Sequence, residues 1–208
     1  MRMRLIQLLV IAVSCTVLGG CAGKPARSDV QDYLEETTGT TITSVRNPAA
    51  FVHEVPELAA SGRDYVYLAP IAVSRGGERS FWLWLGAWST VDRKARHENA
   101  RPLGIGPIQI LADGEPMELE LQPADGNPAG IRRIPYSTPV NSLQQFMAPV
   151  TRSQLQRLSH ARVLTLADQP DDETARLWHS DEQASAMLSS FADQTLAAEA
   201  RSAPDSGR

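Results

Sequence analysis

Cysteine is nearly absent from this chain: only Cys15 and Cys21 occur among its 208 residues. Both lie in the first 21 positions, so the rest of the sequence has no thiol at all. That lack excludes a disulfide, a cysteine nucleophile and a cysteine-ligated metal site from residue 22 onward. The fold therefore has to be stabilised by its apolar core.

Catalytic and cofactor motifs are lacking too. There is no G-x-S-x-G elbow, and "GIGP" at 104–107 lacks the third glycine of a phosphate-binding loop. His53 and His97 open "HEVPE" and "HENAR", which lack the second histidine of the zinc-protease motif. Glu118 and Glu120 alternate with apolar residues, which indicates a solvated strand face rather than a glycosidase pair. The sequence predicts no enzyme, no cofactor and no metal.

Positive charge is in deficit, with 20 Lys and Arg against 24 Asp and Glu. Nucleic acid binding needs a basic face, so a nucleic acid partner is not expected. One loop, "DRKARHENAR", carries basic residues that could contact anionic headgroups at about 1 kcal/mol each: Arg93, Lys94, Arg96 and Arg101. The alternative is a plain solvated loop, because Asp92 and Glu98 dilute its charge.

Long hydrophobic runs are also scarce, and the clearest lies at the start of the chain. Arg2 and Arg4 precede an apolar run over 5–18, which ends at Gly19-Gly20. A spanning helix needs about 20 apolar residues, so this run is too short for a permanent anchor. Its charge, length and small terminal residues predict a signal peptide over 1–20.

The four residues Leu18-Gly19-Gly20-Cys21 resemble the lipobox of bacterial lipoproteins. The resemblance implies that Cys21 is acylated and becomes the mature N-terminus, with 21–27 as a short tether to the membrane. Two or three acyl chains give a stable anchor, at about 0.8 kcal/mol per buried CH₂. Ala22 stands where aspartate favours the inner membrane, which implies the periplasmic leaflet of the outer membrane.

Two glycine turns predict hairpins in the middle of the chain. Gly76-Gly77 separates "DYVYLAPIAV" from "RSFWLWLGAW", and Asp113-Gly114 separates two further strand patterns. Pairing Arg75 with Glu78 sets the register of the 64–90 hairpin. It places five rings on one side, the aromatic face: Tyr65, Tyr67, Trp82, Trp84 and Trp88.

Two positions qualify this register. Pro70 cannot donate to a ladder and could shift the outer part of the hairpin, whereas Gly86 leaves a gap that a facing aromatic such as Tyr67 can cover. The aromatic face has two interpretations. It is either core, covered by the C-terminal helix or a second sheet, or a partly open surface for a ligand.

Three helices are predicted from capping-box spacings, over 28–39, after Thr151 and after Ser180. Further strands are expected in "RRIPYSTPV", "RVLTLAD" and "TARLWHS". The predicted fold class is α+β: an antiparallel sheet or sandwich of about 6–8 strands with a short N-terminal helix, one internal helix and a longer C-terminal helix. A single periplasmic domain is expected over 28–199, and a disordered tail over 200–208.

The stretch from Gly62 to Arg93 is similar to one in uncharacterised lipoproteins of proteobacteria, which implies the class and no activity. The leading hypothesis is a lipid-anchored cell-envelope protein, a non-enzymatic binding or assembly module at the periplasmic face of the outer membrane. Its partners would be the membrane, through Cys21, and an envelope protein. The alternative is a carrier or sensor that binds an apolar or glycan ligand on the aromatic face.

Overall fold

The computed structural model describes residues 29–57, 59–91, 107–136, 143–168, 175–180 and 182–202, excepting the side chains of 107 and 198–202. Three predicted features lie outside the described residues. They are the signal and tether with Cys21, the basic loop with Arg93, Lys94, Arg96 and Arg101, and the tail from 203 onward.

The described chain forms one antiparallel sheet of eleven strands. They are β1 (Val30–Glu35), β2 (Thr40–Val45), β3 (Ala49–Glu54), β4 (Arg63–Arg75), β5 (Glu78–Ser89), β6 (Pro107–Ala112), β7 (Glu115–Glu120), β8 (Gln122–Pro123), β9 (Gln144–Val150), β10 (Leu164–Asp168) and β11 (Leu177–Ser180). Nine of them follow the order β7-β6-β10-β11-β3-β4-β5-β9-β8, while β2 joins β4 and carries β1. The nine-strand path curls until β7 lies near β9, so the sheet is nearly closed.

The predicted fold class is wrong. One curled sheet of eleven strands replaces a sheet or sandwich of six to eight, and two α-helices replace three in the described residues. The N-terminal helix expected over 28–39 is instead β1 and a turn, in which Gly39 has φ 61°. All six residues of β1 pair with β2, whose β-branched sequence TTITSV favours a strand. Pairing with a later segment therefore overrides the local capping signal.

The hairpin prediction is confirmed in full. Residues of β4 and β5 pair from Arg75↔Glu78 outward to Tyr65↔Trp88, and both turn glycines have positive φ, 59° and 88°. Asp113 and Gly114 form the second turn as expected, with φ of 52° and 87°. The segment "RRIPYSTPV", in contrast, is not a strand over its described part, 132–136.

Pro70 leaves the register unchanged, since it pairs with Leu83 as counting from the turn requires. In a two-residue hairpin the pair next to the turn is hydrogen bonded, and such pairs recur at every second residue. The nitrogen of Pro70 therefore points away from β5. On that side β3 pairs with β4 up to Leu68 and β2 only from Ile71, so Pro70 lies between the two partners. Its missing N–H costs no ladder bond.

Two helices complete the described fold. Helix α1 (Arg152–His160) begins at Thr151 with the predicted capping box, in which the Thr151 and Gln154 side chains each bond the other's backbone N–H. Helix α2 (Glu182–Ser202) is the long C-terminal helix and extends past the predicted domain end at 199. Neither helix, among the residues described, has both the length and the apolar character needed to cross a bilayer.

Helix α2 covers the face of the hairpin opposite the tryptophans. This aliphatic face is wholly buried and comprises Val66, Leu68, Pro70, Ala72, Phe81, Leu83, Leu85 and Ala87. Arg79 lies on the same side and donates from Nη1 to the carbonyl of Thr195, 2.8 Å away. Leu188 and Phe191 of α2, each 0% exposed, join this core.

The other side of the sheet is partly covered by residues 127–136, here called the strap. It is anchored to the β1–β2 hairpin, because Tyr33 donates to the carbonyl of Arg133 and Glu35 accepts from the backbone N–H of Arg132. Thr38 bonds the Glu35 carboxylate as well, and these hydrogen bonds hold the pKa of Glu35 below its usual value. Ile131 and Tyr136 of the strap are buried. The aromatic face is thus covered over part of its length.

Candidate functional site

The strap divides the aromatic face into a buried part and a partly exposed part. Trp84 is 1% exposed, whereas Tyr65, Tyr67, Trp82 and Trp88 are each partly exposed. Both sequence interpretations therefore apply, each to different residues. The expected cover by the C-terminal helix is wrong for this face, because α2 packs on the aliphatic side.

Trp84 is a core residue held by polar and aromatic contacts. Its ring lies 4.8 Å from that of Tyr136, and its Nε1–H donates to Oε1 of Gln145 at 3.1 Å. The Tyr136 hydroxyl donates to the carbonyl of Pro70 at 2.9 Å, and burial raises the pKa of Tyr136. A Cβ on Gly86 would lie 2.8 Å from Cη2 of Trp84. The atoms nearest to that position belong to Trp84 and Leu143, whereas the sequence suggested a facing aromatic such as Tyr67.

Three of the remaining rings form a stacked group, here called the aromatic row: Tyr65, Tyr67 and Trp88. Tyr65 and Trp88 lie 4.9 Å apart with their planes 13° from parallel. Tyr65 and Tyr67 lie 6.4 Å apart with an angle of 14°. The Nε1 atom of Trp88 is shielded from solvent and has no hydrogen-bond acceptor among the described residues. The row therefore combines aromatic surface with one unsatisfied donor.

Trp82 does not belong to the aromatic row. Its Nε1–H donates to the hydroxyl of Ser80 at 3.1 Å. Trp88 lies six positions further along β5, a distance of about 20 Å along a strand. Of the five predicted face residues, the structure thus brings three together, buries one in the core and leaves one apart.

The sheet places short side chains beside the aromatic row. On β3, Val52 is opposite Tyr65 of β4 and Ala50 is opposite Tyr67. On its other side, Val52 is opposite His179 of β11. Directly paired residues share a face, so all five side chains lie on one side of the sheet. Ala50 and Val52 are partly exposed and His179 is exposed. Short residues between larger ones make a shallow trough along β3.

An ion pair lies at one end of this trough. Glu54 is opposite Arg63, and their side chains approach to 3.5 Å while remaining 74% and 50% exposed. A hydrogen bond with Tyr65 is the main cause that raises the pKa of Arg63, and Glu54 adds to it. The trough thus has an aromatic wall and, at its end, an acceptor and a donor of opposite charge.

Sequence reasoning did not identify the trough residues Ala50, Val52, Glu54 and His179. Two of the three strands that form the trough, β3 and β11, are distant along the chain. Nδ1 of His53 on β3 contacts the carbonyl of Leu177 on β11, 124 residues later. No turn links these strands, so no local pattern sets their register. A hairpin register follows from its turn, but this pairing follows only from the folded sheet.

A second polar cluster lies on the opposite face, at the same end of β4. Asp64 alternates with Tyr65, and its carboxylate approaches Nη1 of Arg176 at 3.8 Å. Arg176 also bonds the carboxylate of Asp168 through Nε at 2.8 Å and through Nη2. Its guanidinium carbon is 5.1 Å from the centre of the Trp178 ring. Both aspartate residues are 6% exposed, which indicates a structural ion network.

Among the residues that the structure describes, no three His, Cys, Asp or Glu side chains are grouped so that they could hold a metal ion. Comparison with protein-family models, curated proteins and solved structures gives no match to this chain.

Proposed function

We propose that this protein is a lipid-anchored, non-enzymatic binding or assembly module at the periplasmic face of the outer membrane. The observation that carries the binding role is the aromatic row with its trough. Three large rings remain partly exposed, although the same strands bury Trp84 completely. Tyrosine and tryptophan combine apolar area with a polar edge, which suits a binding surface. The lipid anchor is supported by the sequence at Cys21.

The anchor is tested by Cys21→Ala. Removing the acylated thiol is expected to release the protein from the membrane fraction into the soluble periplasmic fraction, since the acyl chains attached to Cys21 would be its anchor. Cell fractionation followed by immunoblotting measures the distribution. Cys15→Ala is the matched control and is expected to leave the protein in the membrane. A Cys21→Ala protein that stays with the membrane would refute the lipid anchor.

The binding role is tested by photocrosslinking in intact cells. A photoreactive phenylalanine analogue in place of Tyr67 is expected to give a discrete crosslinked product, because Tyr67 lies in the aromatic row. The same analogue in place of Leu34, which is 61% exposed on β1, is the control and is expected to give none. The Tyr67 product should weaken when Tyr65→Ala is added. Equal products at both positions, or none at Tyr67, would contradict the binding role.

A second candidate is a carrier or sensor that holds a small ligand directly on the aromatic row. The trough favours it, because Ala50 and Val52 leave room beside the rings that a small molecule can occupy. The two candidates differ in the mass of the crosslinked product. A partner protein shifts the product by kilodaltons on a gel, whereas a small ligand shifts it by an amount that only mass spectrometry resolves.

A further inference from the structure

We propose that the trough over β3 binds the pyranose ring of a neutral glycan, with the ring against Tyr65. This inference rests on the proposed binding role of the aromatic row and names its ligand class. The observations behind it are the direction in which the rings stack, the width of the trough and the polar groups at its end.

The stacking direction leaves one face of Tyr65 toward the trough. Tyr65 is flanked by Trp88 on β5 and by Val52 on β3, its direct partners on the two sides. Trp88 stacks on Tyr65 at 4.9 Å with nearly parallel planes, so it covers the face toward β5. The other face is turned toward β3, where Val52 is too short to cover a ring. An aromatic face beside a short side chain is a stacking site for a flat apolar surface.

The width of the trough fits one ring. Neighbouring strands lie about 4.8 Å apart, so β4 and β11 are separated by about 10 Å across β3. A sugar ring makes a carbon contact of about 3.5–4.0 Å with the wall on each side, so the two walls must be about 7–8 Å apart. The wall on the far side is His179, opposite Val52. One sugar ring fits between Tyr65 and His179, whereas a second ring beside it does not.

The polar groups favour a hydroxylated ligand over an acyl chain. Glu54 accepts hydrogen bonds and Arg63 donates them, and both side chains are half or more exposed at the end of the trough. An acyl chain would cover this ion pair without offering it a hydrogen bond, which is unfavourable. Sugar hydroxyls both donate and accept, so they can hydrogen bond to both Glu54 and Arg63.

The charges of the trough favour a neutral ligand. Glu54 and Arg63 compensate each other at 3.5 Å, so they leave no net charge to attract an ion. An anionic headgroup or phosphate would need an excess of donors with positive charge, as arginine clusters provide. A pyranose ring offers instead an apolar C–H face to Tyr65 and neutral hydroxyls to the ion pair.

The test is a titration of the purified full chain, in a sugar-free detergent, with chitotetraose and with maltotetraose. Isothermal calorimetry measures affinity, and saturation-transfer NMR shows which ligand protons contact the protein. At least one of the two oligosaccharides is expected to bind. Tyr65→Ala should weaken that binding tenfold or more, and Glu54→Gln several-fold. Leu34→Ala, on β1, is the control and should leave the affinity unchanged.

Val52→Phe tests the same site without removing any stacked ring. The larger side chain fills the trough from its floor, so binding is expected to be lost while circular dichroism and thermal unfolding stay close to the parent. This variant keeps the test decisive if Tyr65→Ala fails to fold. Binding that persists in a folded Val52→Phe protein would overturn the trough as the site.

Palmitate is the second probe, and it distinguishes failure of the glycan inference from failure of the binding role proposed for the aromatic row. If palmitate binds in a Tyr65-dependent way and both oligosaccharides do not, the glycan inference fails while the binding role stands. If neither kind of probe binds, the glycan inference again fails. The binding role then fails with it only when the Tyr67 crosslink in cells is absent too.

Discussion

Trp84→Ala is expected to lower the free energy of unfolding by about 3–5 kcal/mol, the usual range for truncating a buried aromatic side chain. Trp84 is 1% exposed, contacts the ring of Tyr136 and donates to Gln145. Truncation leaves a cavity beside Gly86, which has no side chain to fill it. It also leaves the Gln145 oxygen without its donor. Urea unfolding followed by circular dichroism measures the loss.

Trp88→Ala is the matched control on the same strand and the same face. It removes one stacked pair, worth about 0.5–1.5 kcal/mol. The side chain that is truncated is partly exposed, whereas the Trp84 side chain is buried. Its loss of stability is expected to be less than half that of Trp84→Ala. Equal losses in the two variants would mean that the aromatic row serves stability as fully as the core does. That result would contradict a binding role for the exposed rings that is separate from stability.

The contrast between these tryptophans shows how far the sequence could predict the site. Alternation places both on one face, and the two-residue turn at Gly76-Gly77 sets their partners correctly. Neither rule says what lies above that face. Trp84 is buried because the strap, about 50 residues later, brings Tyr136 over it. The distinction between core and surface was therefore set by a contact distant along the chain.

The same reasoning explains the error in fold class. Segments with a strong local signal were predicted correctly, such as the capping box at Thr151 and the turn at Asp113-Gly114. Residues 28–39 carried a capping pattern of similar strength, but residues 30–35 of this segment pair with β2 and form a strand. A six-residue strand is stable only when it pairs with another strand, and the residue pattern of a single segment does not show which strand that is. Strand number was underestimated for this reason.

The Asp64–Arg176–Asp168 network was not predicted, and it too depends on pairing between distant segments. Asp64 lies on β4, Asp168 ends β10, and Arg176 precedes β11. Single charges in these positions look like ordinary surface residues in the sequence. The sheet brings them together on the face opposite the aromatic row, where both aspartate residues are 6% exposed. Their charges are thus buried by pairing between strands that are distant along the chain.

Arg176→Met is expected to lower the free energy of unfolding by about 3–5 kcal/mol, because removing one partner of a buried ion network leaves its other charges uncompensated. The variant keeps most of the apolar stem but removes the bonds to Asp168 and the contact with Asp64. Adding Asp168→Asn should recover part of the loss, since it removes one buried negative charge. Arg63→Met is the matched control: its pair with Glu54 is half or more exposed, so it should cost at most about 1 kcal/mol. Urea unfolding of the four proteins measures these differences, and an Arg176→Met loss as small as that of Arg63→Met would show that the network adds little to stability.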